Sequence, residues 1–250
     1  MIGVESSRVM RAAPRKAAER VEASVPWDFS RKYAAVHHSG TISVENARKR
    51  SKIGRVMKVE TFETPQDAAK ALAGEVAELI RTRAAEGKNV VLGLATGATP
   101  LPFYAELVRM HKEEGLSFAN VISFNLDEYS GLDRDHPESY WYFMHTNLFN
   151  HIDIKPENIN LPSGTVKDDE IAAHCAAYEQ KIKDCGGIDL QILGIGRTGH
   201  IGFNEPGSDD TTVTRQVHLD ELTRSDAAPA FGGIENVPTT AITMGVATIM

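Results

Sequence analysis

The feature that most limits what this chain can fold into is a set of short runs that are apolar at consecutive positions. They are Val90-Val91-Leu92-Gly93-Leu94, Val121-Ile122-Ser123-Phe124-Asn125-Leu126 and Leu190-Gln191-Ile192-Leu193-Gly194. A strand with one wet face alternates apolar and polar residues, so runs like these need cover on both faces. Between them the period changes to that of a helix. Thr64-Pro65 followed by Asp67 supplies a capping hydroxyl, a proline at the first turn and an acid at the positive end. Leu72, Val76, Leu79 and Ile80 then recur on one helical stripe. Pro100 opens a second helical pattern through Tyr104, Leu107, Val108 and Met110, and residues 169–183 read as a third helix. Ala241-Ile242-Thr243-Met244-Gly245-Val246 reads as a further strand. Strand and helix in alternation predict an α/β fold, a parallel sheet with helices on both faces. Ligands of such sheets sit at the carboxyl ends of the strands.

Charge and cysteine usage narrow the class further. Residues 1–60 carry 13 Lys and Arg against 6 Asp and Glu, although the whole chain has a net charge of −7. The sequence therefore divides into a basic extension, residues 1–57, with the run Arg48-Lys49-Arg50-Ser51-Lys52, and a patterned domain, residues 58–250. Glu5, Glu19 and Glu22 interrupt the basic segment, so a solvated extension or a short helical arm is expected. The acidic main body argues against broad contact with nucleic acid. No stretch of about 18 apolar residues occurs, so no membrane partner is expected. Cys175 and Cys185 form neither a disulfide framework nor a metal spacing, which suits a cytoplasmic protein.

Three strand ends carry residues of chemical interest. In Leu94-Ala95-Thr96-Gly97-Ala98-Thr99-Pro100 a strand gives way to a turn of small residues and then to a helix. Free N–H groups, the helix dipole and two hydroxyls would converge there, a seat for a phosphate or simply a tight strand–helix turn. In Phe124-Asn125-Leu126-Asp127-Glu128-Tyr129 two adjacent carboxylates close a buried strand, and neighbouring strand residues point opposite ways. One acid can enter a partly dry cleft and serve as a general base while the other finds solvent or a structural partner. The third, Gly194-Ile195-Gly196-Arg197-Thr198-Gly199-His200-Ile201-Gly202-Phe203-Asn204-Glu205-Pro206, contains the spacing of a dinucleotide fingerprint, with Asp220 at about the distance of a ribose-binding acid. Gly202, Asn204, Pro206 and Gly207 prevent the long helix that such a fingerprint opens, so the nucleotide reading is rejected. A histidine and a carboxylate in a glycine-rich loop suit proton transfer better, with Glu205 orienting His200.

These three segments, together with His136-Pro137-Glu138-Ser139-Tyr140, resemble the glucosamine-6-phosphate deaminase family, in order and at near-family spacing from about Val59 to Met250. The resemblance implies a Rossmann-like fold, no cofactor, an amino-sugar phosphate as substrate and assembly into a homo-oligomer. It implies the conversion of glucosamine 6-phosphate and water to fructose 6-phosphate and ammonia. By motif, Asp127 would move a proton between C2 and C1. His200, held by Glu205, would open the pyranose ring. Thr96, Gly97, Ala98 and Thr99 would hold the phosphate, and Tyr140, Gly194 and Gly202 would lie against the substrate.

The sequence departs from the family pattern at several points. Thr198 stands where many members carry an aspartate that assists the histidine, and Ala98 replaces a glycine. The segment Arg224-Ser225-Asp226-Ala227-Ala228-Pro229 lacks an expected phosphate-binding arginine. Ser208 and Arg215 match the allosteric pattern, but Val217 replaces a lysine, which argues against regulation by an acetylated sugar phosphate. The family also continues past the position of Met250 with a strand and a phosphate-binding lysine, so the domain is expected to be incomplete. Two other readings compete: a 6-phosphogluconolactonase, which shares the fold and a histidine-bearing loop, and a non-catalytic sugar-phosphate-binding regulator.

Overall fold

A computed structural model describes residues 59–250 and the backbone of one strand before them, β1 (Lys32–Val36). The basic run at 48–52 lies outside the described residues. Five strands make the main sheet: β1, β2 (Val90–Leu94), β3 (Val121–Asn125), β5 (Ile159–Asn160) and β6 (Leu190–Gly194), in the order β1-β6-β2-β3-β5. All its pairings are parallel, with β2 aligned to β3 so that Val90 faces Val121 and Leu94 faces Asn125. Every residue of β2 is buried, as its unbroken apolar run requires.

The helices that flank this sheet begin where the sequence signals them. In α1 (Pro65–Ala85) the Thr64 hydroxyl accepts from the Asp67 N–H at 3.1 Å, and the buried stripe contains Leu72, Val76 and Ile80. Helix α2 (Leu101–Glu114) packs against α1 and buries Phe103, Tyr104, Leu107 and Met110. Helix α4 (Ile171–Asp184) buries Tyr178, whose ring meets Phe124 edge-on and whose hydroxyl donates to the carbonyls of Asn125 and Asn160. That phenol ties two strand ends together at the carboxyl edge of the sheet.

One expectation needs correction. The segment 241–246 is not another parallel strand: β8 (Thr240–Thr243) runs antiparallel between β4 (Asp127–Tyr129) and β7 (Arg215–His218) in a separate three-stranded sheet. Residues 246–249 then form a short helix, α6. The reason is visible at Leu126, where the chain leaves one sheet for the other. Its N–H donates to Leu94 of the parallel sheet, and its carbonyl accepts from Met244 at the end of β8. A consecutive apolar pattern reports burial on both faces but not strand direction. The small sheet has its own apolar cluster, Tyr129, Phe203, Leu219, Val237 and Ala241.

Candidate active site

The carboxyl ends of β2, β3 and β6 form one edge, and each predicted segment emerges there. After β2 the turn 95–100 leads into α2, whose first turn has no side-chain cap. The Tyr104 hydroxyl, on the buried face of α2, donates to the Ala95 carbonyl and fixes the strand end just before Thr96. Gly97 and Ala98 are exposed on the turn, and Thr99 lines a small crevice with Gly194 across from it.

Asp127 and Glu128 take opposite roles. Glu128 accepts backbone N–H bonds from Tyr129 at 2.9 Å, Tyr140 at 3.0 Å and Trp141 at 3.0 Å. It thereby caps α3 (Tyr140–Asn147), together with the Ser139 hydroxyl, which accepts from Tyr142. Burial raises the Glu128 carboxyl, and these three bonds pull it back. Asp127 is also buried, and its carboxyl is pushed up to about 8, first by desolvation and then by the Glu128 charge. Its Oδ2 lies against Gly202: a Cβ at Gly202, where φ is +55°, would stand 3.3 Å from that oxygen and 2.8 Å from Thr243 Oγ1. A side chain there would be strained by the backbone and would intrude on the acid.

Tyr140 reaches the same spot. Its hydroxyl interacts with those of Tyr129 and Thr96, and its ring stacks on Phe203 at 6.0 Å. Burial pushes the Tyr140 phenol well above its ordinary range, with Tyr129 and Asp127 adding to the shift. The Tyr129 phenol, likewise buried, is pushed up to about 12.

The loop after β6 runs from Gly194 to β7 without a helix, so it cannot present a dinucleotide fingerprint. Asp220 is no ribose ligand; it caps α5 (Glu221–Phe231) by accepting from Leu222 N–H at 2.8 Å. Within the loop His200 Nδ1 lies 3.0 Å from Glu205 Oε2 and 2.9 Å from Thr198 Oγ1, and the Thr198 hydroxyl itself donates to Glu205 Oε2 at 3.1 Å. The arrangement selects a tautomer. A carboxylate only accepts and the threonine proton is committed to it, so Nδ1 must carry the imidazole proton. Nε2 is then the nitrogen free to exchange protons. The ring lies flat over Gly196, where an added Cβ would come within 2.0 Å of Nε2.

The structure thus gathers Thr96, Tyr140, Asp127 and Gly202 in one place and Thr198, His200 and Glu205 in another, joined by the two-residue step from His200 to Gly202. Sequence reasoning passed over Tyr104, Tyr178, Thr243 and Thr223. Thr243, on β8 opposite Asp127, accepts from Phe203 N–H at 3.1 Å and pins the loop beside the acid. Tyr104 and Tyr178 are buried like core aromatics, and only the bonds of their hydroxyls distinguish them. Arg224 donates to the carbonyls of Ile234 and Val237, which gives it a structural task. Among the described residues no three His, Cys, Asp or Glu side chains converge as a metal site. No described helix is long and apolar enough to cross a membrane.

Fold and sheet-edge chemistry together define an α/β enzyme. The chain belongs to the family of glucosamine-6-phosphate isomerases and 6-phosphogluconolactonases, whose model matches residues 63–230. It is 51% identical over 179 residues to a glucosamine-6-phosphate deaminase of Thermoanaerobacter sp. (strain X514), covering 72% of this chain and 70% of that one. A solved structure of a monomeric glucosamine-6-phosphate deaminase is 44% identical, with a TM-score of 0.73, covering 77% of this chain and 78% of that one. The 6-phosphogluconolactonase of Leishmania guyanensis shares the fold at 20% identity and a TM-score of 0.59, with 78% of each chain covered.

Proposed function

We propose that the protein isomerises and deaminates glucosamine 6-phosphate, yielding fructose 6-phosphate and ammonia. The observation that carries this reading is the pairing of two proton-transfer groups of different kinds at one sheet edge. One is the buried Asp127 carboxyl, and the other is a His200 imidazole whose Nε2 is left free. Ring opening needs a group that gives a proton to the ring oxygen and takes one from the C1 hydroxyl, which suits an imidazole. The aldose–ketose step needs a fixed base that removes the C2 proton and returns it to C1, which suits the Asp127 carboxylate. Water then adds at C2 as the nitrogen leaves as ammonia. Thr99 and the N–H groups near Gly97 and Ala98, at the uncapped start of α2, would hold the phosphate. Tyr140 and Thr96 would close on the sugar, with Gly194 and Gly202 allowing its close approach.

The rival hydrolysis of 6-phosphogluconolactone has the fold in its favour, but the 51% identical relative is named a deaminase. Homo-oligomeric assembly and a cytoplasmic location belong to the same reading and rest on the family. Since a 44% identical relative is described as monomeric, sedimentation equilibrium would test the assembly. The decisive experiment supplies glucosamine 6-phosphate and 6-phosphogluconolactone separately. Release of ammonia and fructose 6-phosphate from the first is expected; hydrolysis of the second alone would refute the proposal.

A further inference from the structure

We infer that Thr223, on α5, is a positioning residue for the proton shuttle, acting on His200 through Glu205. The inference rests on the proposed reaction for its kinetic consequence but on geometry alone for the contact. Glu205 has two carboxylate oxygens, and the structure gives each a separate task. Oε2 faces His200 Nδ1 and the Thr198 hydroxyl, whereas Oε1 accepts from the Thr223 hydroxyl. A glutamate side chain has three rotatable bonds and fixing it costs entropy, so a contact at only one oxygen would leave the carboxylate free to swing. Donors from two different elements, the loop at Oε2 and α5 at Oε1, define its plane.

The helix that presents Thr223 is itself anchored on both sides of that residue. Asp220 caps the first turn, and the guanidinium of Arg224, the very next residue, donates to Ile234 at 2.9 Å and Val237 at 3.1 Å. Helix α5 buries none of its residues completely, so these polar ties do much to fix its place. The loop carrying His200, by contrast, contains glycines at 196, 199 and 202. Thr223 therefore transfers the rigidity of an anchored helix turn to a loop side chain that lacks it. A second tie, Arg197 to Asp226 at 2.8 Å, joins the same loop to the same helix. It lies exposed, where such pairs contribute little.

The test compares Thr223→Val, which keeps the side-chain shape and removes the donor, with Thr223→Ser, which keeps the donor and removes the methyl. The valine variant should lose about 10-fold in kcat with KM changed less than about twofold, the low end for a hydrogen bond to a charged group. Serine should restore kcat. The readout that a merely structural role would not move is the imidazole 15N spectrum of His200. The wild type should show the Nδ1–H tautomer, the valine variant a mixture, and the serine variant the wild-type pattern. Wild-type kcat in the valine variant would overturn the inference. So would a lowered kcat with an unchanged tautomer. If the wild type releases no ammonia from glucosamine 6-phosphate, the proposed reaction fails, and the tautomer comparison still decides the role of Thr223.

Discussion

The strand end that carries Asp127 and the loop that carries His200 prepare their groups for proton transfer by opposite means. Asp127 is set chiefly by exclusion of water: β4 pairs with β8, and burial first, with the Glu128 charge second, drives its carboxyl up to about 8. His200 is set by direction. It keeps some exposure, 18% of its side chain, and its orientation comes from the carboxylate of Glu205 and the hydroxyl of Thr198. A base tuned by desolvation depends on packing and tolerates little change in volume nearby. A shuttle tuned by hydrogen bonds depends on who donates to whom. Substitutions of equal size should therefore act differently in the two regions, on pH-dependent stability in one and on orientation in the other.

The largest effect should come from Asp127→Asn, which retains shape but not charge. It should lower kcat by at least about 10²-fold, the low end of general-base contributions. The same variant tests the desolvation argument through stability. The folded carboxyl titrates near 8 against an ordinary value of 3.8. Between these values the folded state keeps a proton that the unfolded state has released, so wild-type stability falls as pH rises. The asparagine variant lacks this loss, and its Tm should exceed that of the wild type by about 5 °C or more at pH 8 and by much less at pH 4. A constant Tm difference in calorimetry at the two pH values would break the contrast between the two regions. Glu128→Gln should do the reverse. It replaces one carboxylate oxygen by a donor facing an N–H at the start of α3, which should cost about 1–3 kcal/mol of stability and little turnover.

How much of this could be read beforehand differs by residue for physical reasons. The strands β2, β3 and β6 were legible because burial on both faces writes a continuous apolar run. Helix α1 was legible because Thr64, Pro65 and Asp67 form a local start signal. Strand β4 was not, since Asp127-Glu128-Tyr129 is a strand only by virtue of β8, far along the chain. Strand alternation indicated only that one of the two acids would turn to solvent or to a structural partner. That the partner is the start of α3 was not legible, because backbone N–H groups leave no mark on a sequence. Thr96, Asp127, His200 and Glu205 were singled out by residue type at strand ends. Thr223 was passed over because a threonine three residues after a capping aspartate reads as an ordinary helix position.

In the His200 loop, Gly196→Ala should have an effect of intermediate size. The backbone there permits alanine, but the new methyl would stand 2.0 Å from His200 Nε2, so the ring must leave its place. Displacement of a shuttle by about 1 Å can cost about 10²-fold, and a loss of 10- to 100-fold in kcat is expected. Asp127 should be untouched, so the pH dependence of Tm should match that of the wild type. A variant with full turnover would mean that the ring position over Gly196 is not the working one.

The smallest effect, and the one that tests direction against charge, is that of Thr198→Asp. In the present loop the Thr198 hydroxyl donates to Glu205 Oε2 and lies 2.9 Å from His200 Nδ1. It supplies orientation without charge. An aspartate at 198 would place a second anion beside the imidazole, favouring its protonated form, and would repel Glu205 from the shared position. If neutral His200 begins ring opening, the acid limb of kcat/KM should move upward by up to about one pH unit, equivalent to about 1.4 kcal/mol. Conditions must be chosen so that ring opening limits the rate. The titration of Asp127 is common to both enzymes, so a difference between their profiles belongs to position 198. Glu205→Gln should move the limb the other way and slow the reaction as well, because the Thr198 and Thr223 donors would then meet an amide in place of one oxygen. Should the Thr198→Asp profile superimpose on that of the wild type, position 198 does not act on the imidazole, and the His200 loop would have to be held by Glu205 and Thr223 alone.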